Sequence, residues 1–112
     1  MPRLVVVSGP PQTAKLTKAW EIAAADPDLR FLHRDQVRVL FGRLLDEAHL
    51  TRLLGDMAAS LLYQGYGVVT AGQNLAPSDR AMWADIAQAT GAELEWVQTA
   101  PAPVLAYGDG RA

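Results

Sequence analysis

Apolar residues follow two different spacings along this chain, and each spacing predicts a different element. Short apolar or alternating runs rich in β-branched residues predict strands at residues 4–7, 29–33, 68–71 and 93–99. Apolar positions three and four residues apart predict helices at 15–25 and 77–90, and two helices or one interrupted helix over 36–41 and 44–62. Strands that alternate with helices favour an α/β domain with a parallel sheet and helices on both faces.

The ends of the strands are where this pattern predicts a binding site. In open parallel sheets, ligands bind beyond the carboxyl ends of the strands. Residues 8–15, 33–38 and 71–74 follow the first three strands and should converge there.

Composition limits the domain organisation and the kinds of partner. A chain of 112 residues, half of them hydrophobic, predicts one domain, at 1–100, with an Ala-, Pro- and Gly-rich tail at 101–112. The net charge of −2 argues against broad nonspecific binding of nucleic acid. The chain has no Cys, and its two His have no metal-ligand partners at helical spacing, so we expect no protein metal site. No apolar run reaches the length of a membrane span, and we expect a cytoplasmic protein without membrane contact.

The first strand, a tight turn and the start of a helix lie together at residues 4–17. An intact phosphate-binding loop reads Gly-x-x-x-x-Gly-Lys-Ser/Thr, because backbone N–H groups surround the phosphates, the Lys adds charge and the hydroxyl holds Mg²⁺. Gly9 and Lys15 occupy their places in this pattern. Ala14 stands where the second Gly belongs, and Leu16 stands where the hydroxyl belongs.

Three segments in the same order, 9–15, 33–38 and 67–83, resemble the kinase domain of phage 5′-polynucleotide kinases, within the P-loop kinase superfamily. The resemblance implies a three-layer domain with a four-stranded parallel sheet in the order 2-3-1-4. It also implies that ATP, with Mg²⁺ if ATP binds, is held by the loop residues Gly9, Gln12, Thr13, Ala14, Lys15, Leu16 and Thr17. A nucleotide or a nucleic-acid 5′ end would be the substrate, with Asp35 accepting the proton of the 5′-hydroxyl and Arg38 contacting a substrate phosphate.

The residues themselves leave another reading of Asp35 and Arg38 open. Asp is a preferred N-cap residue, so Asp35 could cap a helix that begins at Gln36. Arg38 would then be a solvated partner of Asp35 on the first turn. Both readings can hold together.

Departures from the family pattern argue against ordinary kinase activity. Leu16 removes the hydroxyl that binds Mg²⁺, and Thr17 is a poor substitute because it points about 100° away on the helix. Gly72 stands where the family places a carboxylate near Mg²⁺, and the chain lacks the sequence of the family's lid and fifth strand. The sequence therefore predicts a catalytically impaired P-loop kinase-like protein that binds a phosphate-bearing ligand weakly or acts through contacts with a protein partner. The alternative is an active ATP-dependent 5′-hydroxyl polynucleotide or nucleotide kinase.

The last predicted strand also suggests self-association. Without a fifth strand, residues 93–99 would form an edge of the sheet, and an unprotected edge invites pairing. We therefore expect a homodimer through this side.

Overall fold

The computed structural model describes residues 1–10, 14–42, 46–74 and 76–99. Strands and helices alternate along these residues, as the sequence predicts. In chain order the elements are β1 (Arg3–Ser8), α1 (Lys15–Ala25), β2 (Leu29–His33), α2 (Arg34–Phe41), α3 (Glu47–Tyr63), β3 (Gly67–Gly72), α4 (Pro77–Thr90) and β4 (Glu93–Gln98). The predicted tail at 101–112 lies outside the described residues.

All described strands run parallel in one sheet of order β2-β3-β1-β4, which confirms the predicted order 2-3-1-4. The register pairs Leu4 with Val68 and with Leu94. β1 is central, and its residues 4–7 are at most 1% exposed, because helices cover both faces of the sheet. β2 and β4 are the outer strands of the described sheet.

Each face of the sheet has its own core. One face packs Leu4, Val6 and Val68 against α3 and α4, whose largest buried side chain is Trp83. The other face packs Val5, Val7 and Val69 against α1 around Ala19. This arrangement follows from the period of two along a strand, which sends successive side chains to opposite faces.

The apolar stripe predicted for α1 is only partly buried. Ala19 is buried and Ala23 packs partly against the core, but Leu16 is 47% and Trp20 56% exposed. Trp20 stacks instead on Phe31 of β2, with ring centroids 4.8 Å apart. The side of α1 that carries Leu16 and Trp20 therefore faces solvent in large part.

Helix ends explain how the predicted 36–62 region divides. α2 ends at Gly42, whose φ of +85° favours glycine, and α3 begins after the N-cap Asp46, so two separate helices form. α4 agrees with its predicted bounds because Pro77 occupies its first turn and Gly91, with a φ of +72°, ends it.

Within the described ranges, no helix combines the length and the apolar character needed to cross a membrane.

Candidate functional site

The carboxyl ends of β2 and β3 border a cavity of about 480 Å³, together with the starts of α1, α3 and α4. Lys15, Asp35 and Gly72, from all three segments that the sequence predicts to converge, line it. Gly9 lies alongside, and its N–H donates to the Gln73 carbonyl over 3.2 Å. Arg38 is not among the lining residues but borders the cavity through its contact with Asp35.

Lys15 is the first residue of α1, and its ammonium faces the start of the preceding loop. Its Nζ donates to the carbonyl oxygens of Gly9, at 3.2 Å, and Pro10, at 2.8 Å. A positive charge therefore lies where the chain turns from β1 into α1. Gln12 and Thr13, which the resemblance adds to this loop, lie outside the described residues.

Ala14 precedes α1 without strain and without a side-chain cap. Its φ of −83° is ordinary for an L-residue, so position 14 carries no left-handed strain. Ala14 offers no side-chain acceptor to the first N–H groups of α1. These N–H groups, together with Lys15, are suited to an anion.

The cap of α2 differs from the prediction. α2 begins at Arg34, and its N-cap is His33, whose Nδ1 accepts from the Asp35 N–H at 3.1 Å. Gln36 completes a capping box, since its Oε1 accepts from the His33 N–H at 2.9 Å. The alternative that Asp35 caps a helix beginning at Gln36 is therefore wrong. Asp35 lies on the first turn instead, where its negative charge suits the helix dipole.

Asp35 and Arg38 form an ion pair, within a larger network that the sequence did not predict. Arg38 Nη1 lies 3.2 Å from Asp35 Oδ1, and Arg38 Nη2 also contacts Glu47 Oε2. Arg34 Nη1 lies 3.1 Å from the other oxygen of Glu47. Arg34 falls inside the 33–38 motif, but nothing in the sequence pattern places the start of α3 beside it.

Burial lowers the pKa of His33 from its ordinary value near 6.5, against the opposing attraction of Asp35. The neutral ring is also the form whose Nδ1 can accept the capping hydrogen bond. A pKa that is lower in the folded state means that the unfolded chain binds a proton more readily. The contribution of this cap to the free energy of unfolding is therefore complete above the pKa of His33 in the unfolded chain. It is lost as the pH falls below about 6.5.

We expect the free energy of unfolding to decline between pH 7.5 and pH 5 by more in the wild type than in His33→Asn, as measured by urea denaturation. Asn keeps an N-cap acceptor and does not titrate, and a lost cap costs about 0.5–2 kcal/mol. Equal pH dependence in the wild type and His33→Asn would show that the His33 cap is not pH-sensitive.

Polar groups also reach the floor of the cavity. Thr70 lines it, and both Thr70 Oγ1 and Ser8 Oγ are buried without a hydrogen-bond partner among the residues that the structure describes. Trp83 Nε1 donates to Asn74 Oδ1 at 3.1 Å, and Asn74 has a φ of +49°. The buried indole therefore holds Asn74, two residues beyond the end of β3.

The end of β3 carries no carboxylate. Gly72 lies here, and a Cβ built on it would come within 3.2 Å of Asn74 Nδ2. Across residues 1–10, 14–42, 46–74 and 76–99, no three His, Asp or Glu side chains are grouped as metal ligands would be. Leu16 and Gly72 also provide no side-chain oxygen, so the residues present do not fit a Mg²⁺ held by these two positions.

Comparison with known proteins identifies the architecture. No protein-family model and no curated protein sequence matches the chain. Among solved structures, the APS kinase of Mycobacterium tuberculosis superposes with a TM-score of 0.74 at 17% identity, covering 88% of this chain and 76% of that one. The chain has a P-loop kinase fold.

Other P-loop kinase folds agree with this result. A chain of the Pnkp1/Rnl/Hen1 complex gives a TM-score of 0.73 at 20% identity, over 87% of this chain and 35% of that one. A gluconokinase from Sinorhizobium meliloti gives 0.62 at 21% identity, over 87% and 57%. The chain thus spans well under two thirds of these two proteins. The candidate cavity lies beyond the carboxyl ends of β2 and β3, where ligands bind in open parallel sheets.

Proposed function

We propose that this protein binds a phosphate-bearing ligand, such as a nucleotide, at residues 9–17 and is impaired in metal-dependent phosphoryl transfer. The observation that carries the proposal is the contrast at the start of α1. Lys15 keeps its charge beside the loop, while Leu16 puts an apolar side chain, 47% exposed, where a metal-binding hydroxyl belongs. The start of α1 thus keeps the charge that attracts phosphate and lacks a group that phosphoryl transfer needs.

Binding is supported by the described groups at the start of α1. The uncapped start of α1 offers N–H donors, and Lys15 adds a full charge at the same point. One neighbour, the Mycobacterium tuberculosis APS kinase, has also been solved in complex with AMPPNP and APS. Another belongs to an RNA repair complex. A nucleotide or a nucleic-acid 5′ end is therefore the ligand class that we propose.

Impaired catalysis is supported by the missing ligands for a metal ion. A metal ion bound with the nucleotide would neutralise the negative charge that develops in phosphoryl transfer. Neither Leu16 nor Gly72 supplies a side-chain oxygen for it, so Mg²⁺ carried by ATP would lack the two protein ligands that these positions provide in an intact site. Gly9, Gln12, Thr13, Ala14, Lys15, Leu16 and Thr17 remain the proposed ligand-binding residues.

An active 5′-hydroxyl kinase is the alternative, and one observation favours it. Asp35 and Lys15 line the same cavity, so a carboxylate able to accept a hydroxyl proton faces the space beside the loop. Asp35 would act as the base, with Arg38 on a substrate phosphate. Arg38 already pairs with Asp35 and Glu47, however, and each of those contacts would compete with substrate.

The test is transfer of labelled γ-phosphate from ATP to a 5′-hydroxyl oligonucleotide. We expect wild-type turnover far below about 1 per second, the lower end of ordinary kinase rates, because Leu16 and Gly72 would give a metal ion no side-chain oxygen. Lys15→Ala and Asp35→Ala run alongside as controls. Turnover at an ordinary rate would establish the alternative, and its loss in Asp35→Ala would identify Asp35 as the base.

Contacts with other proteins stay predictions. β4 is an outer strand of the described sheet, and Arg80 lies over the ring of Trp96 on it, 5.0 Å from the centroid. A homodimer through β4, an unidentified protein partner and a cytoplasmic location are all part of this proposal.

A further inference from the structure

One carboxylate bridges two arginines at the edge of the cavity. Each oxygen of Glu47 faces a different guanidinium, with Oε1 3.1 Å from Arg34 Nη1 and Oε2 in contact with Arg38 Nη2. Arg34 and Glu47 both line the cavity. Glu47 is the first residue of α3, so it approaches the arginines from a different element.

Phosphate would use the same donors. Guanidinium N–H groups bind carboxylate and phosphate oxygens with the same forked geometry. A phosphate group at this edge would therefore have to displace the Glu47 oxygens from Arg34 and Arg38. Adding Asp35, the cluster holds two positive and two negative side chains, so its charges cancel and it offers an incoming anion no net attraction.

Stability does not account for this bridge. The Glu47 side chain is 68% exposed, and ion pairs at such exposure contribute little to folding. The start of α3 is held by another group, because Asp46 Oδ1 accepts from the His49 N–H at 2.8 Å. Removing the Glu47 charge should therefore leave α3 folded.

We propose that Glu47 sets the phosphate affinity of this cavity, by holding Arg34 and Arg38 in place and competing with a ligand phosphate for them. Glu47 is thus a positioning residue that keeps phosphate binding weak until its carboxylate is displaced from the arginines. The inference rests on the proposed function, because it concerns the ligand of the same cavity.

The experiment is a titration of the whole protein with inorganic phosphate at constant ionic strength, followed by NMR of the arginine Nε–H groups. Glu47→Gln should bind phosphate about two to five times more tightly than the wild type, the factor that one exposed ion pair represents. The largest shifts should be those of Arg34 and Arg38. Adding Arg38→Ala to Glu47→Gln should remove the gain.

Glu21→Gln is the matched control. This substitution changes the net charge by the same amount as Glu47→Gln. Glu21 is exposed on α1 and forms no ion pair within the described parts of the chain. Equal phosphate affinity in the wild type and Glu47→Gln would overturn the inference, as would the same gain in Glu21→Gln. No phosphate binding by Glu47→Gln would overturn it too, while ATP binding that depends on Lys15 would still uphold the proposed function. A gain in Glu47→Gln over a wild type that binds no phosphate would support the inference. ATP binding that Lys15→Ala leaves unchanged would count against the proposed function.

Discussion

Trp83→Ala is expected to lower the free energy of unfolding by about 3–5 kcal/mol, the usual cost of emptying an aromatic site in a core. Trp83 is 1% exposed and belongs to the cluster that joins α3 and α4 to the sheet. Its indole also holds Asn74 through the 3.1 Å bond from Nε1, so the change removes packing and frees the end of β3. Urea denaturation measures the effect as a lower midpoint at an unchanged slope.

Two variants separate packing from the hydrogen bond and from a general loss of aromatic surface. Trp83→Phe keeps most of the buried ring but leaves Asn74 Oδ1 without its donor, so we expect a smaller cost of about 1–3 kcal/mol. Trp20→Ala removes a ring that is 56% exposed and stacks on Phe31, with an expected cost near 1 kcal/mol. If Trp83→Ala cost no more than Trp20→Ala, the described packing of α4 would be incorrect.

Replacing Leu16 with Thr and Gly72 with Asp should make ATP binding depend on Mg²⁺. These changes return a hydroxyl and a carboxylate to the places where a phosphate-binding loop and a strand end hold the metal. Position 72 can accept the side chain, because the atom nearest a new Cβ is the end of Asn74, 3.2 Å away, which needs to shift by only tenths of an ångström. We expect ATP to bind about tenfold more tightly with Mg²⁺ than with chelator, as one charge-assisted contact of roughly 1.4 kcal/mol would give.

Variants of matched shape serve as controls for this gain. Leu16→Val with Gly72→Leu approximates the outlines of Thr and Asp and supplies no side-chain oxygen. This pair should show no Mg²⁺ dependence. A metal effect of equal size in both double variants would mean that neither oxygen contacts the metal.

The sheet and most helices were predictable because their signals are local. β1 and β3 are runs of β-branched residues, and Pro77 and Gly91 fix the ends of α4 through backbone geometry alone. The start of α2 was mispredicted for an equally local reason. Asp is a common N-cap and His is not, yet the position of the His33 ring allows its Nδ1 to reach the Asp35 N–H.

Only those parts of the candidate site that lie at strand ends or in the sequence motifs were predictable. Parallel strands place residues 8–15, 33–38 and 71–74 at one edge, which indicates where to look for Lys15 and Asp35. The bridge from Glu47 to Arg34 and Arg38 joins exposed side chains nine and thirteen residues apart on separate helices. Such pairs leave no periodic pattern in the sequence, because their partners are set by how α2 and α3 pack together.

The most direct test of the central claim is a calorimetric titration of the wild-type protein with ATP, once with Mg²⁺ and once with chelator, alongside Lys15→Ala. We expect weak ATP binding of similar affinity in both conditions, because Leu16 and Gly72 offer the metal no ligand. We also expect Lys15→Ala to lose that binding. ATP binding that is at least about tenfold tighter with Mg²⁺, or that is unchanged in Lys15→Ala, would contradict the central claim.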